Sequence, residues 1–214
     1  MYKRFVKPTL DLLLSGIGIL AASPILLLLI LALYVEHGGK PFFFQKRAGK
    51  NGKPFTMVKF RTMKDKFDED GNVIDDNKRI TLLGYFLRKY SLDELPQLYN
   101  VVRGEMSLIG PRPLLPVNLG YYTHFQKHRH DVKPGITGLA QVNGRNLLSW
   151  ERKFKYDVFY TRKINYLLDF KILCLTFITV ISQKGIYNEV QEIGPEFADL
   201  HLNESTHILV STSS

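Results

Sequence analysis

LDLLLSGIGILAASPILLLLILALYV, residues 10–35, is the stretch that decides the architecture. Asp11 is its one charge, and Ser15 and Ser23 are its polar interruptions. About 20 consecutive apolar residues suffice to cross a bilayer as a helix, so the segment is long enough to enter lipid. Its length, and the lack of a small-residue cleavage site before a polar start, make it a retained segment rather than a cleaved leader. Ser23-Pro24 lies near its middle. Proline removes a backbone donor and crowds the carbonyl four residues back, which predicts a kink. The Ser23 hydroxyl is a ready partner for the freed backbone group.

Charge bears on how the segment lies. Lys3, Arg4 and Lys7 precede it, and Lys40, Lys46, Arg47, Lys50 and Lys53 follow it. Basic flanks favour the cytoplasmic face, and here both flanks are basic. Each half, about 18 Å of helix, is too short to cross about 30 Å of hydrocarbon alone. A hairpin that enters, turns at Ser23-Pro24 and leaves on the same face fits these facts. A proline-kinked helix that spans the bilayer fits them as well.

The remainder divides into a polar domain, residues 37–185, and a tail, residues 186–214, expected to be partly disordered. Over 214 residues the net charge is +9, which points to an anionic membrane face, a phosphorylated substrate or nucleic acid. The single cysteine, Cys174, sits in an apolar run and is expected to pack as a small hydrophobe. Phe42-Phe43-Phe44 and residues 55–61, with Gly49 and Asn51-Gly52 between them, predict a β-hairpin. Alternation puts Lys59 and Arg61 on one face. Residues 64–78 form an acidic loop without the acidic ends a calcium loop requires. Thr81 is placed to cap a short amphipathic helix, 82–89.

Ser91-Leu92-Asp93-Glu94-Leu95-Pro96-Gln97 carries the chemistry. Ser91 and Glu94 have capping-box spacing, which puts Asp93 and Glu94 in a first helical turn. A purely structural role, with acids favoured by the helix dipole, accounts for them equally well. Arg88 lies just upstream, and Gly110-Pro111-Arg112-Pro113 downstream stiffens the backbone around an arginine whose fork matches phosphate oxygens. Asn143-Gly144-Arg145 presents another arginine on a turn. His124, His128 and His130 stand in a basic stretch that discourages a divalent cation. Residues 150–171 alternate aromatics with lysine and arginine, a pattern that suits interfacial amphipathic helices or helices packed on the domain.

Four ordered segments, residues 59–63, 91–97, 107–113 and 134–145, resemble those of the bacterial sugar transferases, the monotopic phosphoglycosyl transferases. The match runs to about residue 185. Within that family the chain looks most like the small members that load bacillosamine 1-phosphate. It lacks the extra N-terminal membrane helices of the larger ones.

The resemblance implies an α+β, mostly helical monotopic protein with a re-entrant helix broken at Ser23-Pro24. It implies transfer of a sugar 1-phosphate from a UDP-sugar to undecaprenyl phosphate at the bacterial inner membrane, with the domain facing the cytoplasm and UMP released. Magnesium beside Asp93 and a covalent phospho-sugar on Asp93 are implied with it. Glu94 then serves as helper, either a base or a metal contact. Lys59, Arg61, Arg88, Arg112 and Arg145 become candidate phosphate ligands. No nucleic-acid motif is present, and homo-oligomerisation is left open. The competing reading is a bitopic membrane adaptor whose basic domain binds lipid or a partner without chemistry.

Overall fold

The computed structural model describes residues 1–65, 76–144 and 147–182. Arg145, most of the acidic loop and the tail from residue 186 lie outside the described residues. A π-helical turn, Tyr2–Val6, leads into α1, Lys7–Glu36. The strands β1, Phe42–Ala48, and β2, Pro54–Phe60, come next. They are followed by α2, Asp76–Arg79, α3, Leu82–Lys89, and α4, Gln97–Val102. β3, Ser107–Ile109, precedes α5, His124–Lys127, and β4, Gly135–Thr137. The chain then forms α6, Leu139–Val142, α7, Trp150–Lys163, and α8, Tyr166–Ser182.

α1 is a single helix with Pro24 inside it, and its contour is about 45 Å. Pro24 cannot donate to the Leu20 carbonyl, and the Ser23 hydroxyl donates to that oxygen instead, at 2.7 Å. The acceptor that proline orphans is therefore satisfied one residue earlier, which lets an apolar helix tolerate a proline. Most of the helix surface is exposed and apolar, with Leu12, Leu13, Leu20 and Leu28 pointing outward.

The buried side of α1 is tied to the domain at both ends. Near its start, Lys7, Asp11 and Ser15 form a buried stripe at helical spacing. Lys7 Nζ lies 3.6 Å from Asp11 and 3.1 Å from Asp169 on α8. Asp11 accepts from the Ser107 hydroxyl (2.7 Å) and the Leu108 amide (3.1 Å). Asp169 accepts from the hydroxyls of Tyr2 and Tyr160, both at 2.7 Å. Two carboxylates thus face one ammonium, and four neutral donors stabilise the remaining negative charge. Burial and the Asp169 carboxylate push the Tyr160 phenol far above its ordinary range, so it stays a donor. Towards the other end, Leu33 packs with Phe60 and Leu87, and Leu26, Leu29 and Ile30 join them. Full burial of such side chains stabilises by about 1.5–3 kcal/mol each.

The hairpin forms as its turn residues predict. Phe42 pairs with Phe60 and Ala48 with Pro54. Asn51 (φ 57°) and Gly52 (φ 73°) take the positive-φ positions of the turn. Phe60 faces α1, whereas Met57 packs against Val101 and Met106. Asn100 on α4 closes the outer edge of β2: its Oδ1 accepts from the Val58 amide (3.1 Å) and its Nδ2 donates to the Thr56 carbonyl (2.8 Å). Thr81 caps α3 as its position predicts, accepting from the Gly84 amide at 2.9 Å.

Three features depart from the sequence reading. A second, parallel strand pair joins β3 to β4, with Ser107 opposite Gly135 and Ile109 opposite Thr137. A Cβ on Gly135 would lie 2.0 Å from the Gly110 nitrogen, so this approach requires glycine. Phe154 and Tyr160 of α7 are core residues, so that helix packs on the domain rather than lying in headgroups. On α8, by contrast, Leu167, Phe170, Phe177, Ile178 and Ile181 are exposed, and Cys174 shares that exposure instead of packing inside. A run that is apolar all round does not reveal which side meets protein.

Asp11→Leu removes two acceptor contacts and leaves Lys7 with one carboxylate. Breaking a buried pair costs about 3–5 kcal/mol, which should read as a fall of roughly 10 °C in the melting temperature in detergent. Leu13→Ala, on the outward face, should melt close to wild type.

Candidate active site

Ser91 adopts a left-handed conformation (φ 55°), and one 3-10 turn, Leu92–Glu94, follows before Pro96 opens α4. The expected capping box does not form, and the Ser91 hydroxyl makes no cap. A left-handed residue cannot present the extended geometry that an N-cap needs. Glu94 turns away to partners distant in sequence: Lys59 Nζ and Arg112 Nη1, each 3.0 Å from its Oε1. Burial alone would raise the Glu94 pKa, but Lys59 and Arg112 overcome it and hold it down at about 2. Glu94 is therefore ionised at neutral pH and a poor proton acceptor.

Asp93 is 7% exposed and lines a cavity of about 620 Å³. Lys59 Nζ lies 3.9 Å from its Oδ2, so this one ammonium stands between two adjacent carboxylates. Lys59, Arg61, Arg88 and Arg112 all reach the same cavity. Arg88 is braced by its Nε–H donating to the Thr62 hydroxyl at 2.9 Å. Arg61 pairs at 3.0 Å with Asp65, a more exposed carboxylate than the Glu94 that holds Lys59 and Arg112. The side chain of Arg112 is 42% exposed and reaches across from Pro111–Pro113. Every candidate phosphate ligand among the described residues thus lines one chamber. Arg145 lies outside the described residues.

Other residues of this chamber were not singled out from the sequence. Gln45 and Arg47 also line it. In the hairpin register Phe43 sits opposite Lys59 and Arg47 opposite Phe55, so β1's odd positions share the face of Lys59. Alternation applied to β1 as well as β2 would have found them. Arg129 and Asp157 line the chamber too, and no local pattern connects them. The histidines lie elsewhere: His128 pairs with Asp131 (2.9 Å), and the His130 ring bonds the Gly49 carbonyl (3.1 Å). Burial, aided by Arg129, lowers the His130 pKa to about 4, so its ring is neutral.

Among the described residues no group of three or more His, Cys, Asp or Glu converges as a metal cage. Magnesium does not require one. It binds through one or two carboxylates, with the remaining positions taken by substrate phosphates and water. Asp93 fits that role. Glu94, committed to two cations, fits it less well.

A family model described as bacterial sugar transferase matches residues 2–183. The chain is 49% identical over 181 residues to the uncharacterized sugar transferase EpsL of Bacillus subtilis strain 168, covering 85% of this chain and 90% of that protein. It is 34% identical over 198 residues to the exopolysaccharide production protein ExoY of Rhizobium meliloti strain 1021, covering 85% and 88%. It is 39% identical over 193 residues to the UDP-glucose:undecaprenyl-phosphate glucose-1-phosphate transferase of Xanthomonas campestris pv. campestris, which is 85% of this chain and 40% of that longer protein. The chain belongs to the bacterial sugar transferase family. It is an enzyme of the phosphoglycosyl transferase class, which sets aside the non-catalytic adaptor.

The depressed Glu94 pKa has a definite sign. Its stabilisation is fully present above the ordinary carboxyl value of 4.5 and is lost as the pH falls through about 2. The melting-temperature gap between wild type and Glu94→Gln should be constant from neutral pH to about 5 and close progressively below it. A gap that persists unchanged into strong acid would show that Glu94 is not held ionised by Lys59 and Arg112.

Proposed function

We propose that the chain transfers a sugar 1-phosphate from a UDP-sugar to undecaprenyl phosphate in two displacements at Asp93. The observation that carries this reading is one carboxylate, Asp93, on the wall of a chamber lined by Lys59, Arg88 and Arg112. Direct attack of one anionic phosphate on another is electrostatically poor, and a protein carboxylate divides it into two easier steps. In the first, an Asp93 oxygen bonds to the sugar-linked phosphorus, the bond from that phosphorus to the bridging oxygen breaks, and UMP leaves with the electron pair. In the second, an oxygen of undecaprenyl phosphate bonds to the same phosphorus and Asp93 is released. A carboxylate and a phosphate attack through oxygens that carry no proton, so this reading asks for no protein base. This accords with Glu94 being held at about 2. Glu94 instead orients Lys59 and Arg112 toward the diphosphate.

Magnesium, held at Asp93 together with substrate phosphates, would neutralise charge on the departing UMP. Lys59, Arg88 and Arg112 grip the phosphate oxygens as charge shifts between them.

The proposed membrane arrangement rests on α1. Lys7 near its start and Leu33 near its end are both fixed to the one catalytic domain. That tethering and the two basic flanks support a re-entrant course with both ends cytoplasmic. The outward apolar faces of α1 and α8 support a domain held at headgroup depth, where a cytosolic nucleotide sugar and a lipid phosphate meet. The relatives' names support a product that feeds exopolysaccharide or related glycoconjugate assembly.

UMP release from UDP-sugar, undecaprenyl phosphate and magnesium should fall at least about a thousandfold in Asp93→Asn. Incubation with UDP-sugar alone should add one sugar phosphate to the wild-type mass and none to the variant. An active enzyme that never shows the adduct transfers directly. A panel of donors then identifies the sugar.

In a Cys174→Ser background, Arg4→Cys and Lys50→Cys should both react with an impermeant thiol reagent in inside-out vesicles only. Labelling from opposite sides would establish a crossing helix.

A further inference from the structure

An ion pair that substrate chemistry does not require lies behind Arg112. Arg129 and Asp157 are 3% and 4% exposed. Arg129 donates to Asp157 Oδ2 from Nε (3.1 Å) and from Nη2 (2.8 Å). Its guanidinium also packs against two rings, 5.6 Å from the Phe154 centroid and 6.0 Å from that of Tyr122. A buried pair of this kind is matched in stability by well-packed apolar residues of similar volume, so stability alone gives little reason for it.

Its third bond supplies a reason. Arg129 Nη2 donates to the backbone carbonyl of Arg112 at 2.6 Å. Pro111 and Pro113 have no N–H to donate, so this turn is anchored through its carbonyls. Pro111 O accepts from the Gly135 amide at 3.0 Å, and Arg112 O accepts from Arg129. The Asp157 carboxylate on α7 orients the guanidinium, the guanidinium fixes the Arg112 backbone, and the Arg112 side chain reaches Glu94 across the chamber.

We propose that Arg129 and Asp157 are a positioning pair for Arg112, setting where its guanidinium meets the donor's phosphates. The proposal rests on the reading of the chamber as the UDP-sugar site. Neither residue need touch substrate; both act through Arg112.

The test uses UDP affinity, measured by calorimetry on the full chain in detergent. It involves no turnover and is therefore independent of Asp93 chemistry. The variants are Arg129→Met with Asp157→Leu, in wild-type and Arg112→Ala backgrounds. The apolar pair should melt near wild type yet bind UDP about tenfold more weakly or worse, the worth of one charge-assisted hydrogen bond. In the Arg112→Ala background the same exchange should change affinity by less than about twofold, because the residue it acts through is gone. A folded double variant that binds UDP like wild type overturns the proposal. So does an equal loss with and without Arg112. Should the apolar pair not fold, Arg129→Lys keeps the buried charge without the planar fork that serves both acceptors. It should fold and bind UDP more weakly, and unchanged affinity again overturns the role. Wild-type protein that does not bind UDP removes both the donor-site reading and this proposal, whereas loss of the adduct at Asp93 with UDP binding intact removes only the former's chemistry.

Discussion

The ammonium of Lys7, lodged between Asp11 on its own helix and Asp169 on α8, is the constraint on which the molecule's geometry depends. It joins the first turn of an apolar helix to the last helix of the described domain. Charges taken out of water gain from such an arrangement only when their remaining valences are met, and here Tyr2, Tyr160, Ser107 and the Leu108 amide meet them. Because β3 carries Ser107 and Leu108 and leads directly into Gly110–Pro113, the same cluster that docks the helix fixes the base of the turn bearing Arg112. The position of the apolar helix and that of the chamber wall bearing Arg112 are thus tied to one contact.

Within the chamber, charge is distributed unequally. Four cationic side chains from β2, the segment after it, α3 and the proline-flanked turn face two carboxylates that adjoin in sequence. Glu94 takes two of the cations into short pairs, while Lys59 stands farther from Asp93, at 3.9 Å. Adjacent carboxylates are thereby given different surroundings: Glu94 is held between two cations at 3.0 Å, and Asp93 faces one of them from 3.9 Å on the chamber wall. A cationic excess of this kind repels itself and favours an anionic ligand.

What could be read from the chain without coordinates divides by the range of the interactions. Thr81, Asn51-Gly52 and Ser23-Pro24 announce themselves because each acts on backbone within four residues: Thr81 caps α3, Asn51-Gly52 turns the hairpin, and the Ser23 hydroxyl takes the carbonyl that Pro24 leaves, within one continuous helix. Ser91 and Glu94 mislead for the converse reason. Their spacing is that of a local cap, but the partners of Glu94 lie 35 residues upstream and 18 downstream. The aromatic and basic alternation of α7 fits a lipid interface as well as a protein core, and only the fold decides that Phe154 and Tyr160 turn inward. Arg129 and Asp157, 28 residues apart, share no motif; their meeting is purely tertiary.

Asn100 has a consequence of a different kind. A two-stranded ribbon offers its rim to any passing backbone, and confinement to a membrane plane multiplies such encounters among neighbours. By spending both ends of its amide on the Val58 and Thr56 backbone, a single side chain from α4 removes the template on which a foreign strand could zip. The β2 rim of the ribbon is therefore answered from within its own chain, whatever backbone comes near it.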